Sequence, residues 1–197
     1  MAHLLPLRLS LLPLLLLPLA LSGCRSEPKQ APLETAAGIE IAPQPYTAEE
    51  MRAAHPVGTF TVYRVAAAGQ ATLTRRTTWE LCDENGCALV NNEWIEGSPE
   101  ASRETRARFG WDELRDHASF PAGVTEIREE SIQVGAGRFD CWLYRFVEPS
   151  EQADQPAAEN SFWFAKHSSG SPVRYQVRVG GELIFDMELL ETNRRRS

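Results

Sequence analysis

Val173-Arg174-Tyr175-Gln176-Val177-Arg178-Val179-Gly180-Gly181-Glu182-Leu183-Ile184-Phe185-Asp186-Met187-Glu188-Leu189 is the stretch that decides the fold. Val173, Tyr175, Val177 and Val179 alternate with Arg174, Gln176 and Arg178, the period of a strand with one buried face. Beyond Gly180-Gly181 the set Leu183, Phe185, Met187 and Leu189 repeats the pattern. A two-residue turn would set Tyr175 against Asp186. A three-residue loop ending on Gly181 in the left-handed conformation instead sets Tyr175 against Phe185 and Val177 against Leu183. It also opposes Arg178 with Glu182 and Arg174 with Asp186, so the three-residue loop is the expected one.

The same period extends upstream. Phe60 and Val62, then Leu73, Trp79 and Leu81, alternate with Thr, Arg and Glu ahead of the turn Asp83-Glu84-Asn85-Gly86. Setting Cys82 against Cys87 opposes Glu80 with Leu89, Thr78 with Asn91 and Arg76 with Glu93, and leaves both cysteines on the solvent side. Ser102 to Phe109, with Arg103, Arg106 and Arg108, suits an edge strand. Val124–Val134 and Phe139–Val147 are two further strands around Gly135-Ala136-Gly137; the second is apolar on both faces, which places it at the centre of the sheet. Thr47-Ala48-Glu49-Glu50 is a capping box that opens one short helix, and Trp111, Leu114 and Ala118 share a face of another that Pro121 ends. The expected fold is mainly β (α+β), a curved antiparallel meander or open half-barrel with one or two short helices.

The N-terminus has a different character. Arg8 precedes the leucine-rich run Leu9–Leu21, too short and too interrupted by Pro13 and Pro18 to span a bilayer. It ends in Leu21-Ser22-Gly23-Cys24, which resembles the lipobox of bacterial lipoproteins at all four positions. The resemblance implies cleavage between Gly23 and Cys24, and acylation of Cys24 with palmitate-type chains that hold the protein on a membrane. Arg25 stands where an inner-membrane retention aspartate would be, so the expected address is the outer membrane, facing the periplasm. The chain accordingly divides into a signal peptide (1–23), a lipidated cysteine and disordered tether (24–45), a β-rich globular domain (46–192) and a disordered basic tail (193–197) that takes in Arg194. Removing 23 of 197 residues leaves 174, and losing Arg8 moves the net charge from −7 to −8. Such an acidic domain argues against nucleic acid as a partner.

In an oxidising envelope Cys82 and Cys87 are expected to form a disulfide, with Cys141 a buried small hydrophobe. No Gly-x-Ser-x-Gly elbow or His-Glu-x-x-His helix occurs. His55, His117 and His167 stand without partners implied by spacing, and Glu129 and Glu130, adjacent on a strand, point to opposite faces. No enzyme, metal or cofactor is expected. Two roles remain: an interaction or scaffolding module that offers an edge strand to an envelope protein, or a carrier or sensor of an apolar ligand held against Trp79, Trp94, Trp142 and Trp163 on a concave face.

Gly137-Arg138-Phe139-Asp140-Cys141-Trp142, Phe162-Trp163-Phe164-Ala165-Lys166, Pro172-Val173 and the closing hairpin together resemble uncharacterised envelope lipoproteins with a curved antiparallel sheet. That sheet is similar to the open half-barrels of the LolA/LolB lipoprotein carriers. The likeness covers about the last half of the chain, rests on strand order and aromatic placement, and implies an architecture without implying an activity.

Overall fold

In the computed structural model, which describes residues 33–34, 38, 40–150, 155–168 and 170–194, β1 (Leu33–Glu34) and β2 (Glu40–Ile41) form a small hairpin. There follow α1 (Ala48–Ala54), β3 (Phe60–Ala67), β4 (Leu73–Glu80), β5 (Gly86–Ile95), β6 (Ser98–Gly110) and α2 (Trp111–Asp116). A 3-10 turn, Ala122–Val124, leads into β7 (Glu126–Val134), β8 (Gly137–Glu148), β9 (Ala158–Ala165), β10 (Arg174–Val179) and β11 (Glu182–Thr192). The expected signal segment and the Leu21–Cys24 motif lie outside the described residues. β3 to β11 make one open antiparallel sheet of nine strands in the order β6-β5-β4-β3-β11-β10-β9-β8-β7. Each half is a helix followed by a meander, and the halves join where β3 meets β11.

The link from β6 to β7 must therefore cross the sheet from one edge to the other. It lays Trp111, Leu114, Ala118 and Phe120 over Trp79, Leu89, Tyr144, Phe162 and Phe164, with Met51 of α1 beside them. The α1 capping box is present: Thr47 N–H donates to Glu50 Oε2 at 2.7 Å, and Glu50 N–H to Thr47 Oγ1 at 3.1 Å. A second apolar cluster takes Tyr63, Val65, Met187 and Leu189 from the same face of the sheet. From the alternate, opposite-facing positions of β8 and β9 it takes Phe139, Cys141 and Ala165. The sheet coils enough for the β7–β8 turn to reach β11, where Ala136 N–H donates to Leu189 O at 3.0 Å and Gly135 N–H to Glu188 Oε1 at 2.9 Å. Apolar residues on both faces of β8 are thereby explained, but β8 is next to the β7 edge and not at the centre, which β11 occupies.

Two registers differ from expectation. At β4–β5, Trp79 opposes Leu89, Thr77 opposes Asn91 and Arg75 opposes Glu93, one residue out of step with the expected pairing. Leu81, at φ 48, turns the chain early, and Asp83 Oδ1 accepts from the Asn85 and Gly86 N–H groups at 2.9 and 3.1 Å, building the turn from its own side chain. Cys87 thereby becomes buried, Leu81 becomes exposed, and Ala88, Val90 and Trp94 move to the opposite face from Trp79. At β10–β11 the turn is the two-residue Gly180-Gly181, at φ 59 and 86, a pair of left-handed positions that glycine fills without strain. A bulge after Leu183 then resets the pairing, so that Val177 meets Phe185 and Tyr175 meets Met187. The anticipated Arg174–Asp186 contact is made diagonally, by two hydrogen bonds of 2.9 Å.

Both domain boundaries also move. Ile41, Ala42, Gln44 and Tyr46 are buried. Ala42 N–H donates to Phe120 O at 2.8 Å, Gln44 Nε2 to Ser119 Oγ at 2.7 Å, and Tyr144 Oη to Pro43 O at 2.6 Å. Residues 40–45 are thus a strap belonging to the folded domain, held by Phe120 and Tyr144, and not the end of the tether. Arg194, expected in the tail, is buried beside Tyr63 and donates through Nε to Thr192 Oγ1 at 3.2 Å. Val124, expected in a strand, ends the 3-10 turn instead.

Candidate functional site

Cys82 and Cys87 are joined as a disulfide with Cα atoms 4.0 Å apart, and Cys141 is a free, buried thiol. Burial, followed by the charges of Asp140 and Glu130, pushes that thiol up to about 12, so it is protonated at neutral pH. The bridge closes the loop Cys82–Cys87, immediately after the exposed Leu81. Arg108 ties the same loop to the neighbouring strand, with Nη2 2.6 Å from Asp83 Oδ2 and Nη1 3.1 Å from Leu81 O.

The four tryptophans do not share a face. The register puts Trp79 and Trp142 on the side that carries Tyr144 and Phe164, and Trp94 and Trp163 on the other. Trp79 is fully buried, its ring stacked on His55 at 4.3 Å between centroids. Trp142 is half-buried and lies under Lys166 Nζ, 4.1 Å from the ring centroid. The space a ligand would need against Tyr144, Phe162 and Phe164 is taken by Phe120, whose ring centroid is 4.9 to 6.3 Å from those of all three. The concave tryptophan cleft anticipated from the sequence is therefore not assembled.

Two features had no signal in the sequence. Between the apolar rows of β3, β4 and β5 runs a buried polar band, where Thr77 Oγ1 donates to Asn91 Oδ1 at 2.6 Å and Arg75 Nε to Glu93 Oε1 at 2.5 Å. Thr61 stands opposite Thr77, and Tyr63 opposite Arg75. His55 belongs to the same region: its Nδ1–H donates to Met51 O at 3.0 Å, while burial and then the Arg194 charge hold its imidazolium form down to about 3. The other feature is a polar cleft of about 260 Å³ between Glu129, Glu130, Ser131, Asp140, Cys141, Lys166 and His167. There Lys166 Nζ is 2.5 Å from Glu129 Oε2, and the Ser131 hydroxyl donates to Asp140. His167 is exposed and His117 half-buried, and His117 Nδ1–H donates to Glu113 O at 2.7 Å. Among the described residues no group of three or more His, Cys, Asp or Glu side chains is placed to hold a metal ion. No helix of the described residues is long and apolar enough to cross a membrane.

β6 and β7 are the two edges of the sheet, and no described strand pairs with the outer side of either. β6 opposes β5 regularly from Arg103 to Gly110, and Pro99 to Ser102 bulge away. Arg106 on this edge binds both Glu104 and Glu80, at 2.9 and 3.1 Å. The chain matches no protein-family model, no curated protein and no solved structure.

Proposed function

We propose that the protein is a lipid-anchored lipoprotein of the bacterial envelope, held through Cys24 with the domain facing the periplasm, and that the domain is a non-catalytic interaction module. The observation that carries the anchor is the Leu21-Ser22-Gly23-Cys24 motif behind an apolar run. A disulfide in a chain of this kind fits an oxidising compartment. The interaction role is supported by the open edge of β6, whose regular stretch Arg103–Gly110 leaves a row of backbone groups available to another strand. An open, coiled antiparallel sheet with two helices on one face is also the architecture that kinship to the LolA/LolB carriers would bring, in fold and not in activity. The carrier role has less support, because Phe120 fills the aromatic face and the tryptophans divide between faces.

A photo-crosslinking amino acid at Thr105 of the full chain, expressed in its bacterial host, tests the interaction role. A discrete protein adduct is expected at Thr105 and not at Glu84, on the disulfide loop. Equal labelling at both positions, or none, would remove β6 as the contact edge.

A further inference from the structure

Among the described residues seven large apolar side chains stand out in solvent, and five of them, Ile95, Val124, Val147, Leu183 and Ile184, gather at one end of the sheet; Val57 and Leu81 lie at the other. The strand ends form a continuous rim. Extending the β7–β8 register beyond Glu126 and Arg145 brings Val124 opposite Val147, and the next strands follow through Ala158 paired with Val179. The Gly180-Gly181 turn leads to Leu183 and Ile184, whose carbonyl accepts from Ala68 N–H at 2.9 Å; the uncharged turn beyond Ala68 leads to Leu73, opposite Ile95. Isolated exposed apolar residues are ordinary, but a row of them along one end marks a contact surface.

The route of the chain indicates what covers that surface. The strap enters the domain where Ile41 bridges Pro121, directly before the 3-10 turn that carries Val124. Leu33 pairs with Ile41 in the β1–β2 hairpin, so nine residue steps separate Cys24 from the folded chain. A coil of that length has a mean span of about 17 Å. The longest strand, 13 residues, is about 43 Å at roughly 3.3 Å per residue. An anchor at Cys24 therefore keeps the Val124 end near the bilayer, and turning the opposite end down would stretch the tether to more than twice its mean span. We propose that this rim rests on the lipid surface, with Val124, Val147, Leu183 and Ile184 dipping into the boundary between headgroups and acyl chains. Glu96, Glu126, Glu148 and Glu182 stand around the rim in the headgroup water, so the contact is apolar and not an attraction to anionic lipid. This rests on the reading of Cys24 as the anchor.

The test uses the lipidated full chain, extracted in detergent and reconstituted into vesicles of phosphatidylethanolamine and phosphatidylglycerol containing doxyl-labelled lipid. Bimane is attached at Val147→Cys, or at Val57→Cys as the far-end control; Cys82 and Cys87 are bridged and Cys141 is buried, so neither competes for label. Quenching several-fold stronger at position 147 than at position 57, and unchanged by added salt, is the expected result. Equal or reversed quenching in protein that sediments with the vesicles would overturn the rim while leaving the anchor standing. Protein left in the supernatant would overturn the anchor and the rim with it.

Discussion

Acidification should destabilise the domain through His55, and the size of the effect follows from its surroundings. The ring is 1% exposed, lies flat on Trp79, donates through Nδ1–H to the Met51 carbonyl and feels the charge of Arg194. Burial and then the Arg194 charge oppose a second proton while the Met51 carbonyl favours it, so the folded imidazole titrates at about 3, while the unfolded one titrates at its ordinary 6.5. Between those values only the unfolded chain binds the proton, so stability rises with pH across this window and is lost as pH falls from 6.5 toward 3. At 1.36 kcal/mol per pH unit, the loss from His55 between neutral pH and pH 5 is about 2 kcal/mol, growing to about 5 kcal/mol near pH 3. Urea unfolding at pH 7 and pH 5 measures it, with His55→Phe as the reference that keeps an aromatic ring on Trp79 and removes the titration. Carboxylates contribute alike to both proteins, so wild type should lose about 2 kcal/mol more than the variant. Equal losses would refute the assignment of His55 as a buried neutral imidazole.

Further outcomes follow from the packing. Leu114→Ala, which empties a fully buried position under α2, should cost about 2 to 5 kcal/mol in chemical denaturation. Gly86→Ala should prevent β5 and β6 from pairing normally, since a Cβ there would lie 2.0 Å from Phe109 O; a fall in melting temperature far beyond that of Gly123→Ala, whose Cβ would meet nothing, is the expected comparison. Replacing Cys82 and Cys87 by serine should cost about 2 kcal/mol, from the entropy of closing so short a loop. Thiol counting without reductant should find no reactive thiol among Cys82, Cys87 and Cys141 in the folded protein and one, Cys141, after unfolding.

What could be read in advance was the local chemistry. Thr47 with Glu50, and Trp111 with Leu114 and Ala118, specify their helices through contacts within a turn or two, and both helices are where that chemistry puts them. β6 is an edge, as its arginine-rich alternation indicated. Register was less legible, because it depends on backbone choices that alternation alone does not encode. A left-handed Leu81 and a turn built by the Asp83 side chain shift β4–β5 by one residue, and the bulge after Leu183 lets a two-residue turn coexist with apolar alignment. The β4–β5 shift also dissolves the tryptophan cleft, because one step of register exchanges the face on which Trp94 stands relative to Trp79. The strap at residues 40–45 was hidden by its proline-rich composition, which resembles a tether until Phe120 and Tyr144 supply its partners. His55 likewise becomes distinctive only once Trp79 and Arg194 are folded around it.

The most direct test of the account is the intact mass of the protein extracted from membranes of its bacterial host. The account predicts a chain that begins at Cys24, lacks residues 1–23 and carries a thioether-linked diacylglyceryl group, with fatty acid released on alkaline hydrolysis. A chain that keeps residues 1–23, or one that begins elsewhere with an unmodified Cys24, would contradict it.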